Sequence, residues 1–366
     1  MEIKNLPLYK FPLSSTDLFS SKYPIAEKIL KKMTIQEKIG QMFFFKYNAK
    51  EAENDIKEYH PGGFVLYADS FENKNPKSIK EELEKLQKIS KIVLGYAVDE
   101  EGGSVTRISK FPAFRFENFK SPKELYKEGG IENILKTEIE KINLLKSLNI
   151  NINLAPVADI SFNKEDFIWK RALGENIDIT ANYIKEQIKQ SVKENFSQCL
   201  KHFPGYANNG DTHNNIIYDN RSLDYLKKND FIPFKFGIQE KVPFVLIEHN
   251  IISQIDKNYP SSISCEIHKI LREELNFTGL ILTDAIDMKG IELMNLNFPS
   301  SVLAVLSGND IILSSNNSSN YYNQVLNAYY NNLIDEDIIN CAVVRILSWK
   351  LTYLENDMKE LIENIE

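Results

Sequence analysis

The residues best suited to chemistry lie in one stretch, residues 198–215, which reads QCLKHFPGYANNGDTHNN. It begins as a short apolar run, breaks at a Pro-Gly pair and becomes polar, which is typical of a strand followed by a functional loop. The stretch carries Lys201, His202, Asp211 and His213. Since Asp211 and His213 lie two positions apart, the carboxylate could orient the imidazole and set its tautomer and basicity. The alternative interpretation is a solvated, asparagine-rich loop.

A second candidate for chemistry is Asp284, in GLILTDAIDMKG, where an apolar run passes into a helical pattern. A side chain at that step would point away from the strand into a pocket, where a nucleophile is needed. The alternative is that Asp284 is an ordinary helix N-cap. Asp287 is predicted to turn onto the helix, as a capping or surface carboxylate.

A third candidate is VDEEGGSVTRI, which contains Asp99 and Arg107. These two side chains could accept from and donate to the hydroxyls of a polyhydroxylated ligand. The paired glycines permit a tight backbone path near a ligand. They do not form a phosphate-binding fingerprint.

Eight short apolar runs supply the elements that would position these residues. The predicted strands are 42–45, 63–67, 92–98, 150–156, 198–203, 244–248, 280–283 and 310–313. Their apolar residues are continuous rather than alternating, as in parallel strands covered on both sides. Helical patterns separate them, for example at 78–90, 131–148, 179–194 and 263–275. The fold class is therefore predicted to be α/β, a (β/α)8 TIM barrel, with a doubly wound open sheet as the alternative.

The barrel interpretation has a consequence for function, because the carboxyl ends of barrel strands form the active site. Charged residues follow five of the predicted strands: Asp99, Asp159, Lys201-His202, Glu248-His249 and Asp284. We expect these side chains to meet at one end of the barrel.

The whole chain, 1–366, is predicted to form a single catalytic domain. Residues 1–33 read as an irregular lead-in followed by a helix, and Thr34 is a plausible cap for the next helix. Residues 321–366 read as helices that pack against the barrel.

Composition excludes several function classes. A net charge of -7 without a basic block argues against nucleic-acid binding. The three cysteines lie far apart and indicate free thiols in a reducing compartment. No apolar run is long enough to cross a bilayer, and the N-terminus lacks a signal-peptide pattern, so we expect a cytoplasmic monomer without membrane contact. His202, Asp211 and His213 lack the spacing of a zinc motif, so no metal or other cofactor is predicted.

Several motifs, in order along the chain, carry a family resemblance. They are MTIQEKIGQMF (33–43), VDEEGGSVTRI (98–108), NLAPVADI (153–160), RALGEN (171–176), KHFPG (201–205), DTH (211–213), PSSIS (260–264), GLILTDAIDMKGI (279–291) and VVRILSWK (343–350). Together they resemble family 3 glycoside hydrolases, specifically the bacterial β-N-acetylglucosaminidases of peptidoglycan recycling.

The resemblance implies a role for each candidate residue. Asp284 would be the nucleophile, and Asp211 with His213 would form the acid/base dyad. The residues matching positions that hold the sugar in the −1 subsite are Asp99, Arg107, Arg171, Lys201 and His202. The implied activity is retaining removal of N-acetylglucosamine from muropeptides or related oligosaccharides, with a small carbohydrate as partner and no cofactor.

The chain also departs from the family pattern. Tyr206 stands where the family usually has a second histidine, and Glu248 before His249 is unusual for this branch. Asp211 could instead match an earlier GDT of the family, although the spacing from His213 to Ser222 favours the dyad. The alternatives are a β-glucosidase or β-xylosidase, a phosphorylase of the same family, and a catalytically silent sugar-binding homologue.

Overall fold

Eight parallel strands form a barrel in the computed structural model, which describes residues 7–174, 176–206, 210–212 and 215–363. Each of the eight overlaps one predicted strand: β1 (Phe43–Lys46), β2 (Gly63–Leu66), β3 (Gly95–Val98), β4 (Ile152–Asn153), β5 (Ser197–Phe203), β7 (Phe244–Ile247), β9 (Leu280–Thr283) and β10 (Ile312–Ser314). Two short strands, β6 (Tyr218–Asp219) and β8 (Ile251–Ile252), pair with each other outside the barrel.

The order of the barrel strands is β10-β1-β2-β3-β4-β5-β7-β9. A parallel bridge between Leu282 and Ile311 joins the two ends of this order. The ring closes there, which confirms the predicted (β/α)8 barrel and excludes the open sheet. The strands are buried on both faces, as their continuous apolar sequences predicted.

Helices connect and cover the strands. Their bounds are α1 (Tyr23–Leu30), α2 (Ile35–Gln41), α3 (Ala52–Tyr59), α4 (Pro76–Ile89), α5 (Pro122–Ser147), α6 (Ile177–Lys193), α7 (Leu223–Lys228), α8 (Phe231–Gln239), α9 (Cys265–Lys269), α10 (Lys289–Glu292), α11 (Ser300–Ser307), α12 (Ser318–Tyr330), α13 (Glu336–Tyr353) and α14 (Glu355–Glu363). The sequence specifies several starts through capping boxes, in which a side chain accepts from the third backbone N–H: Thr34 with Glu37, and Ser121 with Glu124.

Helix α5 is broken where Gly129 and Gly130 adopt non-helical backbone angles, with φ +67° at Gly130. The helical pattern predicted from residue 131 is the part after this break. Within the described chain, no helix is both long enough and apolar enough to span a membrane.

Helix α13 seals the lower end of the barrel, where the strands begin. The indole of Trp349 is fully buried and packs edge-to-face against Phe244, with the ring centroids 5.0 Å apart. Its Nε1 donates to Ser197 Oγ at 2.8 Å. Beside it, the buried Lys350 Nζ donates to Gln41 Oε1 at 2.7 Å and to Gly62 O at 2.9 Å. Through these two residues, α13 contacts β5, β7 and the segment that leads into β2.

A buried ion cluster, here called the lower cluster, also lies at this end and consists of Arg272, Asp310 and Arg345. Asp310 accepts from Arg272 Nη2 at 2.7 Å and from Arg345 Nη1 at 3.0 Å. The ring of Phe11 packs against both guanidinium groups, 4.7 and 5.0 Å from its centroid. The cluster ties the segment before β10 to α13 and to the N-terminal lead-in.

Candidate active site

A cavity of about 760 Å³ opens at the upper end of the barrel, where the strands finish. Seven of the predicted site residues line it: Asp99, Arg107, Arg171, Lys201, His202, Asp211 and Asp284. They come from β5 and from loops after β3, β4, β5 and β9, so the fold brings together residues that are up to 185 positions apart (284 − 99). The remaining candidate, His213, lies outside the described residues.

Six residues form a buried network at one side of this cavity, here called the upper cluster: Asp99, Glu101, Asp159, Arg171, Lys201 and His202. Lys201 Nζ lies 2.6 Å from Asp99 Oδ1 and 2.7 Å from Glu101 Oε1. Arg171 donates to both oxygens of Glu101, at 3.0 and 2.7 Å. The fork of the guanidinium matches the carboxylate, and this fixes the orientation of Arg171 at the cavity wall.

Mutual pairing keeps Glu101, Arg171 and Lys201 charged despite their burial. Burial alone would raise the pKa of Glu101, but Arg171 and Lys201 hold it well below its ordinary value. Burial alone would lower the pKa of Lys201, yet Asp99 and Glu101 raise it. These three groups therefore carry fixed charges at the side of the cavity across the physiological pH range.

Within the upper cluster, His202 lies between Asp159 and Arg171. Its Nδ1 lies 2.7 Å from Asp159 Oδ2, and its Nε2 lies 3.0 Å from Arg171 Nη2. A carboxylate accepts and a guanidinium donates, so these partners assign the proton to Nδ1 and leave Nε2 as an acceptor. Burial lowers the pKa of His202, partly opposed by Asp159, which agrees with a neutral ring.

The segment after β3 folds back on itself because of Glu100. Its carboxylate accepts from the backbone N–H groups of Arg107 at 2.9 Å, Ile108 at 2.8 Å and Ser109 at 3.2 Å. Gly102 makes the tight turn with φ +103°, where an added Cβ would lie 2.3 Å from Lys120 O. This turn returns Arg107 to the cavity, 3.6 Å from Asp99.

Asp284 lies directly after β9, and its backbone N–H donates to Ile247 O at 2.8 Å. Its Oδ1 accepts from the N–H of Ala285 at 2.8 Å. The next helix, α10, begins at Lys289 with Met288 at its N-cap, so Asp284 is not a helix cap. His249 supports this segment by donating from Nε2 to Ala285 O at 2.9 Å, while its Nδ1 faces Ser262 Oγ at 2.7 Å.

Asp211 reaches the cavity from the loop that follows β5. One side chain joins the two ends of this loop: Arg221 donates to Gly205 O at 2.6 Å and pairs with Asp219 and Asp230, each at 2.6 Å. Tyr206, at the start of the loop, is buried and its hydroxyl lies 2.6 Å from Thr212 Oγ1. Tyr206 therefore stabilises the segment next to Asp211.

Asp287 differs from the prediction. It is neither a helix cap nor a surface carboxylate, because it precedes α10, lines the cavity and accepts from Ser315 N at 3.2 Å. Contacts with the loop after β10 hold it there, and these contacts are not visible from the local sequence.

Sequence reasoning also missed positioning roles. Glu101 and Arg221 bind candidate residues or the segments that carry them, but no role was predicted for either. Asp159 was expected only to lie at the active-site end of the barrel, and its contact with His202 was not predicted. Glu101 belongs to the motif VDEEGGSVTRI, and Asp159 lies just past a predicted strand. The sequence therefore placed both residues near the predicted site. Glu248 is fully buried, and burial raises the pKa of its carboxyl group well above the ordinary value.

Comparison with known proteins identifies the family of the chain. Residues 34–349 match the glycosyl hydrolase family 3 N-terminal domain. Among curated relatives, a β-hexosaminidase of Photobacterium profundum is 27% identical over 280 residues, covering 75% of this chain and 80% of that protein. A β-hexosaminidase of Actinobacillus pleuropneumoniae serotype 3 is 30% identical over 284 residues, covering 73% and 77%.

Solved structures show the same fold. A family 3 β-N-acetylglucosaminidase from Paenibacillus sp. str. FPU-7 superposes with a TM-score of 0.82 at 24% identity, covering 91% of this chain and 68% of that one. A β-glucoside phosphorylase, BglX, gives a TM-score of 0.80 at 20% identity, covering 95% and 64%. The family match spans most of the chain and includes every strand of the barrel, so this protein belongs to glycosyl hydrolase family 3 and is a glycoside hydrolase.

Proposed function

We propose that this protein is a retaining exo-β-N-acetylglucosaminidase that removes terminal, non-reducing N-acetylglucosamine from muropeptides or related oligosaccharides. One observation carries the proposal: Asp284 and Asp211 line the same cavity as five residues suited to hold a sugar. A pocket that only binds sugar needs no carboxylate placed like Asp284, which argues against a silent binding protein.

In the proposed reaction, an oxygen of Asp284 attacks the anomeric carbon while the bond to the leaving oxygen breaks. His213 gives its proton to that oxygen. In the second half, His213 takes a proton from water, the water oxygen bonds to the anomeric carbon, and the ester to Asp284 breaks. Asp211 stabilises the imidazolium whenever His213 carries the extra proton.

The upper cluster and the neighbouring Arg107 would hold the sugar during both steps. Asp99 accepts from sugar hydroxyls, and Arg107 and Arg171 donate to them. Glu101 and Asp159 lie behind these groups and fix their orientation through Arg171, Lys201 and His202. Because the charged side chains are already paired with one another, they need little reorientation when substrate displaces water from the cavity.

The N-acetyl sugar is favoured over glucose because curated relatives carry the name β-hexosaminidase. Phosphorolysis is the second candidate, since two exposed lysines, Lys170 and Lys289, line the cavity and could attract a phosphate anion. Initial rates on aryl β-N-acetylglucosaminide and aryl β-glucoside, each with and without phosphate, separate these functions. A rise in rate with phosphate would indicate phosphorolysis, and a preference for glucoside would contradict the N-acetyl specificity.

The nucleophile assignment is tested by Asp284→Asn. We expect kcat to fall by at least about 10³-fold, since the amide cannot form the glycosyl ester. Asp287→Asn is the matched control: it changes a second carboxyl that lines the same cavity, and it should retain activity within about tenfold. Thermal unfolding of both variants verifies that they fold. Wild-type turnover in Asp284→Asn would refute the proposed mechanism.

A further inference from the structure

Thr212 stands between Asp211 and His213, the two residues of the proposed acid/base dyad. It is fully buried, whereas Gly210 and Asn215 of the same loop are exposed. Loops run over the surface of a protein, so a buried residue within one marks a point at which the loop is attached to the rest of the fold. Two other segments of the chain provide this attachment.

The first attachment is the hydroxyl of Tyr206, which lies 2.6 Å from Thr212 Oγ1. Tyr206 is itself fixed, because its backbone N–H donates to Asp159 Oδ1 at 2.8 Å. Its ring packs edge-on against the ring of His202, with the centroids 5.0 Å apart. Asp159 and His202 belong to the upper cluster, so Tyr206 links Thr212 to the wall that would hold the sugar.

The second attachment is Gly290 in α10, whose backbone N–H donates to Thr212 O at 3.0 Å. A Cβ added at Gly290 would lie 2.8 Å from Thr212 O and 3.2 Å from Asn215 O. These two carbonyl groups stand on either side of His213 in the sequence. The loop can approach α10 this closely because Gly290 has no side chain.

Gly290 is also joined to the proposed nucleophile by a short, fixed segment. It follows Asp284 by six positions (290 − 284). At the start of this segment, the N–H of Asp284 donates to Ile247 O at 2.8 Å, which ties it to β7. Further along, the N–H of Ile286 donates to Leu313 O at 2.9 Å, which ties it to β10. The connection from Asp284 to the loop after β5 therefore runs through backbone groups that are already held in place.

We propose that Tyr206, Thr212 and Gly290 form a clasp that sets the position of the acid/base dyad relative to the nucleophile. The three are positioning residues, and the inference rests on the proposed function, in which His213 and Asp284 act on the same glycosidic bond. In retaining glycosidases the two reacting groups stand only about 5–5.5 Å apart. Here two different loops carry them, so a direct attachment between the loops fixes this separation more closely than the barrel alone.

The test separates proton transfer from the rest of catalysis by the choice of leaving group. Cleavage of phenyl β-N-acetylglucosaminide needs the acid, whereas dinitrophenolate is a stable anion that leaves with little help from a proton. The ratio of the two kcat/KM values, phenyl over dinitrophenyl, therefore reports how well the acid is placed. A loss of folded protein or of sugar binding lowers both values and cancels in the ratio.

Gly290→Ala should move the loop away from α10. We expect kcat/KM on the phenyl glycoside to fall about 100-fold, because a displacement of about 1 Å is enough to misplace the acid. On the dinitrophenyl glycoside it should change less than about threefold. Gly237→Ala is the matched control: this glycine lies in α8, and an added Cβ would lie 2.6 Å from Leu200 Cδ1. The control should lose stability and leave the ratio unchanged.

Tyr206→Phe is the second variant and keeps the proposal testable if Gly290→Ala does not fold. It removes only the hydroxyl that contacts Thr212, so the ratio should fall about tenfold, the equivalent of one buried hydrogen bond. Its control is Tyr96→Phe, since the buried hydroxyl of Tyr96 donates to Leu83 O at 3.0 Å and neither residue lines the active-site cavity. This control should leave the ratio at the wild-type value.

Equal losses on both substrates, or an unchanged ratio in both variants, would overturn the clasp. If the wild-type protein cleaves neither substrate, the proposed function fails instead, and amide hydrogen exchange then tests the attachment by itself. The peptide that contains Thr212 should exchange at least about tenfold faster in Gly290→Ala and in Tyr206→Phe than in the wild type. Equal exchange in all three proteins would show that these contacts do not hold the loop.

Discussion

The two ends of the barrel each contain a buried ion cluster, and the two clusters differ in what surrounds them. In the lower cluster the side chains of Arg272, Asp310 and Arg345 are 0%, 1% and 4% exposed. In the upper cluster Asp99 is 16% exposed, and its neighbour Arg107 is 29% exposed. The lower charges satisfy one another and hold chain segments together, whereas the upper ones leave polar edges facing a cavity.

The comparison teaches that a buried ion network does not by itself mark an active site. Judged by its residue types alone, the lower cluster would look as much like an active site as the upper cluster does. The distinction lies in which end of the strands carries the cluster and whether its groups reach open space. Variants of the two clusters should therefore fail in different ways, one in stability and the other in catalysis.

The largest effect is expected for Asp310→Asn. This change leaves two buried guanidinium groups without a carboxylate, which should lower the free energy of unfolding by about 3–5 kcal/mol. Denaturant unfolding gives the loss, and kcat per folded molecule at low temperature should stay at the wild-type value. A variant that loses activity without losing stability would erase the distinction between the clusters.

The next effect is expected for Asp99→Asn in the upper cluster. The amide keeps the shape but loses the charge that pairs with Lys201 and accepts from sugar hydroxyls, so kcat/KM should fall about 100-fold, or ~2.7 kcal/mol of transition-state stabilisation. The free energy of unfolding should change by less than about 1.5 kcal/mol because Asp99 is partly exposed and Lys201 retains Glu101. A stability loss as large as that of Asp310→Asn would show that both clusters are structural.

The smallest effect concerns Lys350, a buried cation at the lower end that is hydrogen-bonded only to uncharged groups among the contacts described. Burial lowers the pKa of Lys350 to about 7. Between that pKa and the ordinary value of 10.5, the unfolded chain binds the proton more than the folded chain does, so rising pH favours folding. From pH 7 to pH 9 the wild-type protein should gain about 2 kcal/mol relative to Lys350→Met. Parallel stability curves for the two proteins would contradict the lowered pKa.

Much of the fold was predictable because the eight strands are buried on both faces and so read as continuous apolar runs. The strand ends then located most candidate site residues, since parallel strands place their carboxyl ends together. The break in α5 was visible as two adjacent glycines. The family resemblance supplied Arg171, which no local pattern singled out.

The contacts that organise the site were not predictable, because they join residues far apart in sequence. Glu101 contacts Lys201 and Arg171 only in the folded barrel, where the ends of different strands come together. Asp287 was assigned wrongly because the loop after β10, which holds it at the cavity, comes almost 30 residues later. A local pattern describes which element a residue belongs to, but it does not describe which other element that residue will meet.

The single guanidinium of Arg221 joins the beginning and the end of the segment that carries Asp211. A loop whose ends are fixed to each other can gain or lose residues at small entropic cost, about 0.6 kcal/mol for each doubling of its length. Changes in the length of this segment should therefore cost the barrel little stability.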